Sequence, residues 1–417
     1  MRSGLMAVAE QRMALAELRS GMYVCRLDRP WEGTPFPLQG FRVGSAEDIE
    51  ALSRFTREVV IDIERSIPLD GRSALERLGY FDHRPGARKL PPVEHYPVEH
   101  DVKVELPLAA QALAVSHERA GRVLEQFSRG ETVMAEELRA AVEPVVASVI
   151  RNPDAWFWLS ALRRRDDYSY THALNVCALA AALGRQLGMP RLLLHELGQA
   201  GLLLDVGMTA VPDELLQHAG PLTPAQREQV QQHVAHGLRL LSEQDSVDED
   251  VLEMIAHHHE RHDGSGYPRG LRQSAIPLFS RMLGLVDSYD AICSERPYHA
   301  ALPPHEALQI LYRESGRLFQ EDLVEQLSQC LGVYPTGSMV ELTTGEVAIV
   351  MAQNPSRRLF PRVTVLTRPD KQIDPAFRQV DLWAEREQRD GEVRRVWVLR
   401  PLALGSYGID ARHYFLV

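Results

Sequence analysis

The sequence predicts a mainly α protein: a helical bundle preceded by a small α+β domain and followed by a short β-rich extension. Three observations predict this. Between about residues 105 and 331, apolar positions such as Met134, Leu138, Val142, Val145 and Val149 recur at steps of three and four, the spacing of one helix face. Ahead of that region, short β-forming runs alternate with a helix-like stretch and a Pro/Gly-rich turn. Beyond Tyr334-Pro335-Thr336-Gly337 the composition shifts to Val- and Ile-rich segments with the length of strands.

Taken in order, residues 1–81 form the small α+β domain. They contain an alternating run around Met22 to Leu27, then Phe41 to Val43, a helix from Ala46, and the β-rich Val59-Val60-Ile61-Asp62-Ile63. Residues 82–104 carry Pro85, Pro91, Pro92 and Pro97 among charged side chains with no sustained apolar period, and read as a linker. Residues 105–332 are the helical domain, with further helices expected over 171–188, 191–203, 224–241, 248–259 and 305–330. Residues 333–417 close the chain with strands around Val340, Val347 to Val350, Val363 to Leu366 and Val396 to Leu399.

A chain of 417 residues has room for two or three domains, each with its own core. Lys and Arg number 46 against 57 Asp and Glu, a formal charge of -11, which excludes a general binder of duplex nucleic acid but leaves room for a local basic pocket holding a phosphodiester. Cys25, Cys177, Cys293 and Cys330 are far apart and contain no C-x-x-C pair, so neither a disulfide framework nor a thiolate zinc site is expected. With no apolar run of about 18 residues and no signal-peptide pattern, the expectation is a cytoplasmic protein without a membrane span.

Six of the 16 histidines fall between His233 and His262, and His257, His258 and His259 are consecutive, directly before a Gly-rich turn. Imidazole is a borderline donor suited to Fe, Mn, Ni or Zn, and a glycine turn allows close backbone approach to a ligand. Asp205 closes the apolar run Leu202-Leu203-Leu204, and Asp287 closes another, so each carboxylate enters apolar surroundings where its charge needs compensation. Either a metal or a helix N-terminus or Arg partner would provide it.

The stretch HHERHDGSGYPRG resembles the signature of the HD-GYP family, helical HD-type metal-dependent phosphodiesterases of the bacterial messenger cyclic di-GMP. YSYTHALNV around His172, the D-x-G at Asp205, the H-x-x-x-G at His233 and DSYDAICSERPY at Asp287 extend the likeness over roughly residues 120–335. The first 65 residues resemble the small uncharacterised domain that often precedes HD-GYP domains. The resemblance implies divalent metal ions held by His172, Asp205, His233, His258, His259 and Asp287, with Asp205 bridging two of them and, in an active enzyme, helping to activate water. It implies cyclic di-GMP as ligand, with Gly266, Tyr267, Pro268 and Arg296 as binding elements. It also implies a protein partner through the GYP face. A bundle of this type can expose an apolar face for a homodimer, although no strict heptad seam is visible.

The family pattern H-D-x-G-K is broken here, where the chain reads Leu204-Asp205-Val206-Gly207-Met208. Leucine has no lone pair, and a methionine thioether carries no charge. By the family's assignment one metal site keeps Asp205, His233, His258 and His259. The other keeps only His172, Asp205 and Asp287, so one strong and one weakened site are expected. Tyr168 stands where three-metal members carry a Glu, so no third metal is expected. His257 is read as an outer histidine hydrogen-bonded beside the ligands, and His236 and His262 as flanking or surface positions. The combination leads to a cyclic di-GMP receptor with weak or absent hydrolysis, with an active phosphodiesterase yielding 5′-pGpG or GMP as the alternative.

Overall fold

A computed structural model describes residues 10–29, 31, 40–43, 46–62, 78, 94–162, 168–218, 220–295, 301–354, 359–389, 392–403 and 405–409. The chain divides into two compact units, one made of residues 1–73 with 331–411 and the other essentially of residues 74–330.

The first unit is discontinuous in sequence. Its N-terminal part holds β1 (Glu10–Ala14), β2 (Tyr23–Leu27), β3 (Phe41–Arg42), α1 (Ala46–Ser53) and β4 (Glu58–Asp62). The strands form an antiparallel sheet in the order β1-β4-β2-β3, with Val59 opposite Met13 and Ile61 opposite Val24. Its C-terminal part holds β5 (Met339–Leu342), β6 (Val347–Ala352), β7 (Arg362–Val365), β8 (Gln379–Asp381), the hairpin of β9 (Arg386–Arg389) and β10 (Glu392–Arg395), and β11 (Val398–Leu402). Five of these make a second antiparallel sheet, β11-β5-β6-β7-β8, in which every residue of β6 is buried. A strand buried on both faces reads as a continuous apolar run, as Val347-Ala348-Ile349-Val350-Met351-Ala352 does. Leu15, Val24, Leu52, Val59 and Ile61 share a single apolar core with Tyr334, Val340, Val350, Val363 and Val398. The two β-containing ends of the chain thus share one compact unit and one core.

The second unit is all helical among its described residues: α2 (Val102–Ser128), α3 (Ala135–Arg151), α4 (Pro153–Leu162), α5 (Tyr168–Gln186), α6 (Arg191–Leu203), α7 (Asp213–Leu216), α8 (Pro224–Gln231), α9 (His233–Ser242), α10 (Glu249–Ala256), α11 (Leu278–Cys293), α12 (Pro304–Arg313) and α13 (Glu321–Leu331). Asp101 caps α2 by accepting from the Lys103 amide. On α3 the predicted stripe Leu138, Val142, Val145 and Val149 is buried, whereas Met134 is the N-cap and 63% exposed. The run read as one helix over 224–241 breaks at Gln232, and α10 stops at Ala256, leaving His258 and His259 in a turn. No described helix is long and apolar enough to cross a membrane.

Residues 94–100 form no helix or strand and are tied to this unit. Arg185 donates to the Tyr96 and Pro97 carbonyls, the Tyr96 hydroxyl donates to the Met189 carbonyl, and Asn152 donates to the His100 carbonyl. Just beyond, the fully buried carboxylate of Glu105 accepts two hydrogen bonds from Arg151, at 2.9 and 2.7 Å, and one from Ser148 at 2.8 Å, with His100 Nδ1 2.7 Å away. These bonds hold the start of α2 against the end of α3, and hydrogen bonding offsets the burial that would otherwise raise the Glu105 pKa.

Candidate metal centre

α6 ends at Leu203, Leu204 continues the helical backbone with 1% exposure, and Asp205 leaves it at φ -104°, ψ 11° to start a 3₁₀ turn over Val206–Ala210. Asp205 thereby projects from the end of a buried helix, with its side chain 30% exposed. The turn lies close against the first turn of α9. Gly207 makes that approach possible, since a Cβ there would stand 2.0 Å from the His233 carbonyl oxygen and 2.4 Å from the Gly237 nitrogen. The glycines of D-x-G and H-x-x-x-G therefore have a steric purpose: they let the elements carrying Asp205 and His233 meet. Gly284 on α11 similarly admits the His258 carbonyl, which a Cβ would meet at 2.1 Å.

Asp205, His233, His258 and His259 bring one potential ligand atom each to within 4.8 Å of one another. His233 Nδ1 lies 2.9 Å from the Val230 carbonyl and His258 Nδ1 lies 2.6 Å from the Ile255 carbonyl. A carbonyl only accepts, so each Nδ1 carries the proton and each Nε2 is left with its lone pair. The Nε2 atoms of His233, His258 and His259 are buried without a hydrogen-bond partner. Burial also lowers the pKa of His258 and His259, favouring the neutral form that binds metals. Three orphaned imidazole nitrogens and a carboxylate fit a divalent first-row metal, and they leave that cluster without another explanation.

His172 on α5 stands beside both Asp205 and Asp287 of α11. His172 Nε2 is 3.2 Å from Asp287 Oδ1 and 3.6 Å from Asp205 Oδ2, and both His172 and Asp287 are buried. Burial opposes a charge on His172, but hydrogen bonds to Asp287 and Asp290 outweigh it and push the imidazole up to about 10. Asp287 is held well below the ordinary carboxylate range, because His172 outweighs the effect of burial. Four of the six side chains expected to hold metal form the cluster, and His172 lies between Asp205 of that cluster and Asp287.

The Gly-Tyr-Pro segment folds over this centre. The Tyr267 ring stacks on His259 at 4.6 Å between centroids, and its amide donates to the His259 carbonyl at 3.2 Å. Gly266 lies against the backbone of His259 to Arg261, and Pro268 follows through a cis peptide bond and is exposed. Buried Glu260 accepts from the Arg269 amide at 2.7 Å and the Leu271 amide at 2.9 Å, anchoring the far side of the loop. Arg261 donates to the His258 and Glu260 carbonyls, both at 3.0 Å, and packs over Phe319. His257 is half-buried and its Nδ1 makes no hydrogen bond among the described residues, so this nitrogen does not show the bond expected of an outer histidine. His236 and His262 are partly buried. Arg296, Pro297, Tyr298 and Arg163 to Arg165 lie outside the described residues, as does the Tyr168 side chain.

Three contributors were not evident from the sequence: Asp290, Glu260 and Arg261. Asp290 offered one signal, its place three residues after Asp287 on the same helix face. Glu260 and Arg261 lie inside the motif, but their roles depend on backbone atoms that spacing does not reveal.

The HD domain family model matches residues 154–323, and that of a domain of unknown function, DUF3391, matches residues 10–138. The chain is 34% identical over 376 residues, 89% of each chain, to the cyclic di-GMP phosphodiesterase PA4108 of Pseudomonas aeruginosa. It is 36% identical over 162 residues to a cyclic di-GMP phosphodiesterase of Thermotoga maritima, covering 39% of this chain and 44% of that protein. The solved structure of Bd1817, an HDG"Y"P protein from Bdellovibrio bacteriovorus, aligns at 16% identity with a TM-score of 0.44, over 77% of this chain and 99% of that one. With a likeness that runs along nearly the full length and motifs whose side chains converge in the fold, this chain belongs to the HD-GYP family and carries the DUF3391 domain ahead of its HD domain.

Proposed function

We propose that this protein is a cyclic di-GMP receptor whose HD-GYP domain holds one metal strongly and a second weakly and hydrolyses the nucleotide slowly or not at all. The observation that carries this reading is the inequality of the two ligand sets. Asp205, His233, His258 and His259 form a four-ligand cluster with three orphaned nitrogens. His172, Asp205 and Asp287 form a three-ligand set, with apolar Leu204 at the position where the family supplies a histidine. Losing even an outer contact to a metal ligand costs about 10- to 100-fold in affinity or activity, and a missing ligand is a larger loss.

A divalent cation, Fe, Mn, Ni or Zn, would supply Lewis acidity and ease deprotonation of water at the centre. The chain's own residues do the rest. Asp205 belongs to both ligand sets. Tyr267, stacked on His259, offers an aromatic face and a hydroxyl to a guanine or a phosphate, while Gly266 and Pro268 shape the loop beneath the ligand. Arg296 is assigned to the nucleotide phosphate or base. Met208 stands where the family's lysine would steady charge developing on phosphate, and a thioether cannot do so. Occupancy would pass to a protein partner across the GYP face.

A second reading is an active phosphodiesterase that makes 5′-pGpG or GMP. It is favoured by the relative named a cyclic di-GMP phosphodiesterase, matched over 89% of each chain, and by His172 lying within 3.6 Å of Asp205 and 3.2 Å of Asp287. The deciding experiment is to purify the protein anaerobically, add Mn²⁺ or Fe²⁺ with cyclic di-GMP, and chromatograph free and bound nucleotide over time. Intact nucleotide retained by the protein is the expected result. Multiple turnovers to linear dinucleotide would establish the second reading, and absence of both binding and turnover would leave only a protein-interaction role for the domain.

A further inference from the structure

Asp290 is buried on α11, three residues beyond Asp287, and both of its oxygens are engaged. Oδ2 lies 2.7 Å from His172 Nδ1 and accepts from Ser294 Oγ at 3.3 Å. Oδ1 accepts from Asn175 Nδ2 at 3.0 Å, and Asn175 Oδ1 in turn accepts from Ser160 Oγ at 2.9 Å. Asn175 sits three residues after His172 on the same face of α5. These bonds link α4, α5 and α11 into one network of side chains.

The network fixes orientation at each step. The Ser160 hydroxyl sets which way the Asn175 amide points, Asn175 holds the Asp290 carboxylate, and a carboxylate facing His172 Nδ1 requires a proton on that nitrogen. The Nε2 atom then faces Asp205 and Asp287. His233 and His258 are oriented differently, by the neutral backbone carbonyls of Val230 and Ile255. The histidine held by an anion is thus the one in the set that is a ligand short, and an anionic acceptor makes an imidazole a stronger donor than a carbonyl does.

We propose that Asp290, steadied by Asn175 and Ser160, is a positioning residue that lets the His172–Asp205–Asp287 set hold a metal despite Leu204. This rests on the two-set reading above, but it concerns metal loading alone and is tested without nucleotide. The full-length protein is stripped of metal and titrated with Mn²⁺, with bound and free ion followed by electron paramagnetic resonance and elemental analysis. Asp290→Asn keeps shape and an acceptor but removes the charge; it is expected to weaken the second Mn²⁺ step about 10- to 100-fold and leave the first unchanged. Asn175→Ala is expected to act in the same direction, and serves in its place if Asp290→Asn does not fold.

The same comparison is made in a Leu204→His background, where the set is complete and the second step is measurable even if the natural chain binds a single ion. There Asp290→Asn is expected to cost less than in the natural chain, or to weaken the second step alone if only that background shows one. Unchanged second steps in both backgrounds overturn the proposal, as does equal weakening of both steps. Failure of cyclic di-GMP to bind would instead overturn the receptor reading and leave the titration unaffected.

Discussion

Gly207 and His233 are in such close contact that a methyl group on Gly207 would stand 2.0 Å from the His233 carbonyl oxygen. The turn carrying Asp205 and the helix carrying His233 therefore share one backbone-to-backbone contact, and Asp205 Oδ1 reaches 3.4 Å from His233 Nε2 because of it. Gly207→Ala forces the two apart. It is expected to abolish tight Mn²⁺ binding and to cost about 1–3 kcal/mol of stability, as overpacking does, read by metal titration and urea unfolding. A variant that binds Mn²⁺ like the natural chain would show that the contact has no bearing on the centre.

His172 and His233 are identified as ligands only through the resemblance to the family's motifs, whereas part of the candidate ligand set shows in local chemistry, as consecutive histidines before a glycine turn and aspartates ending apolar runs. The strands around Val340, Val347 and Val363 were legible for a similar reason, their β-branched composition. What stayed hidden depends on distant partners. His172 and Asp290 are 118 positions apart, and nothing in either local pattern pairs them. The common core of Val24 and Val59 with Val340 and Val363 joins opposite ends of the chain. The break at Gln232 escaped notice because the apolar period runs through it, although the break is what places His233 at the start of its own helix.

Glu260 acts through two backbone amides of the loop that follows the Gly-Tyr-Pro segment. Glu260→Gln keeps the size but can turn an amino group toward one of those N–H groups, losing a charge-assisted bond worth about 1.5–3 kcal/mol. The expected result is roughly tenfold or weaker cyclic di-GMP binding at unchanged Mn²⁺ content, with faster hydrogen exchange at the Arg269 and Leu271 amides. Calorimetry and exchange mass spectrometry read the two effects separately, and unaltered exchange would remove Glu260 from loop anchoring.

The buried Glu105 and half-buried Arg151 form an ion pair far from the metal centre in sequence. Arg151→Met leaves the carboxylate buried with Ser148 and His100 as its remaining partners, and is expected to destabilise the helical unit by about 3–5 kcal/mol. Glu105→Leu combined with Arg151→Met removes both charges and is expected to recover much of that loss. Denaturant midpoints of the two variants check the pair; a double variant as unstable as the single one would contradict the charge argument.

His305 gives a pH dependence with a defined sign. It is 5% exposed at the start of α12, and burial lowers its pKa to about 4. Between pH 6.5 and 4 the unfolded chain takes up a proton that the folded chain refuses. The contribution is therefore fully present above the unfolded value and is lost as pH falls through that window, by up to about 3 kcal/mol. In His305→Leu the stability difference between pH 7 and pH 4 is expected to shrink by about that amount, and thermal unfolding across the window measures it. An identical pH profile in the variant would mean that His305 titrates normally.

The sharpest division between the two functional readings lies at Leu204 and Met208. Leu204 is 1% exposed at the end of α6, one residue before Asp205, so a side chain there is already committed to the interior. By the family's pattern a histidine in its place would complete the ligand set of His172, Asp205 and Asp287, and its burial would be offset by the metal it helps to hold. Met208 lies in the 3₁₀ turn that Asp205 opens, so a lysine there would return a cation to the same turn. If the natural centre is disabled by these two losses, Leu204→His with Met208→Lys should raise cyclic di-GMP turnover at least about 10- to 100-fold and strengthen the second Mn²⁺ step, as gaining a ligand reverses losing one. If the natural protein already turns over as fast as the double variant, His172, Asp205 and Asp287 suffice and the protein is a phosphodiesterase. A double variant that gains the metal but no turnover would instead assign the deficit to the phosphate-binding side, where Tyr267 and Arg296 become the residues to change next.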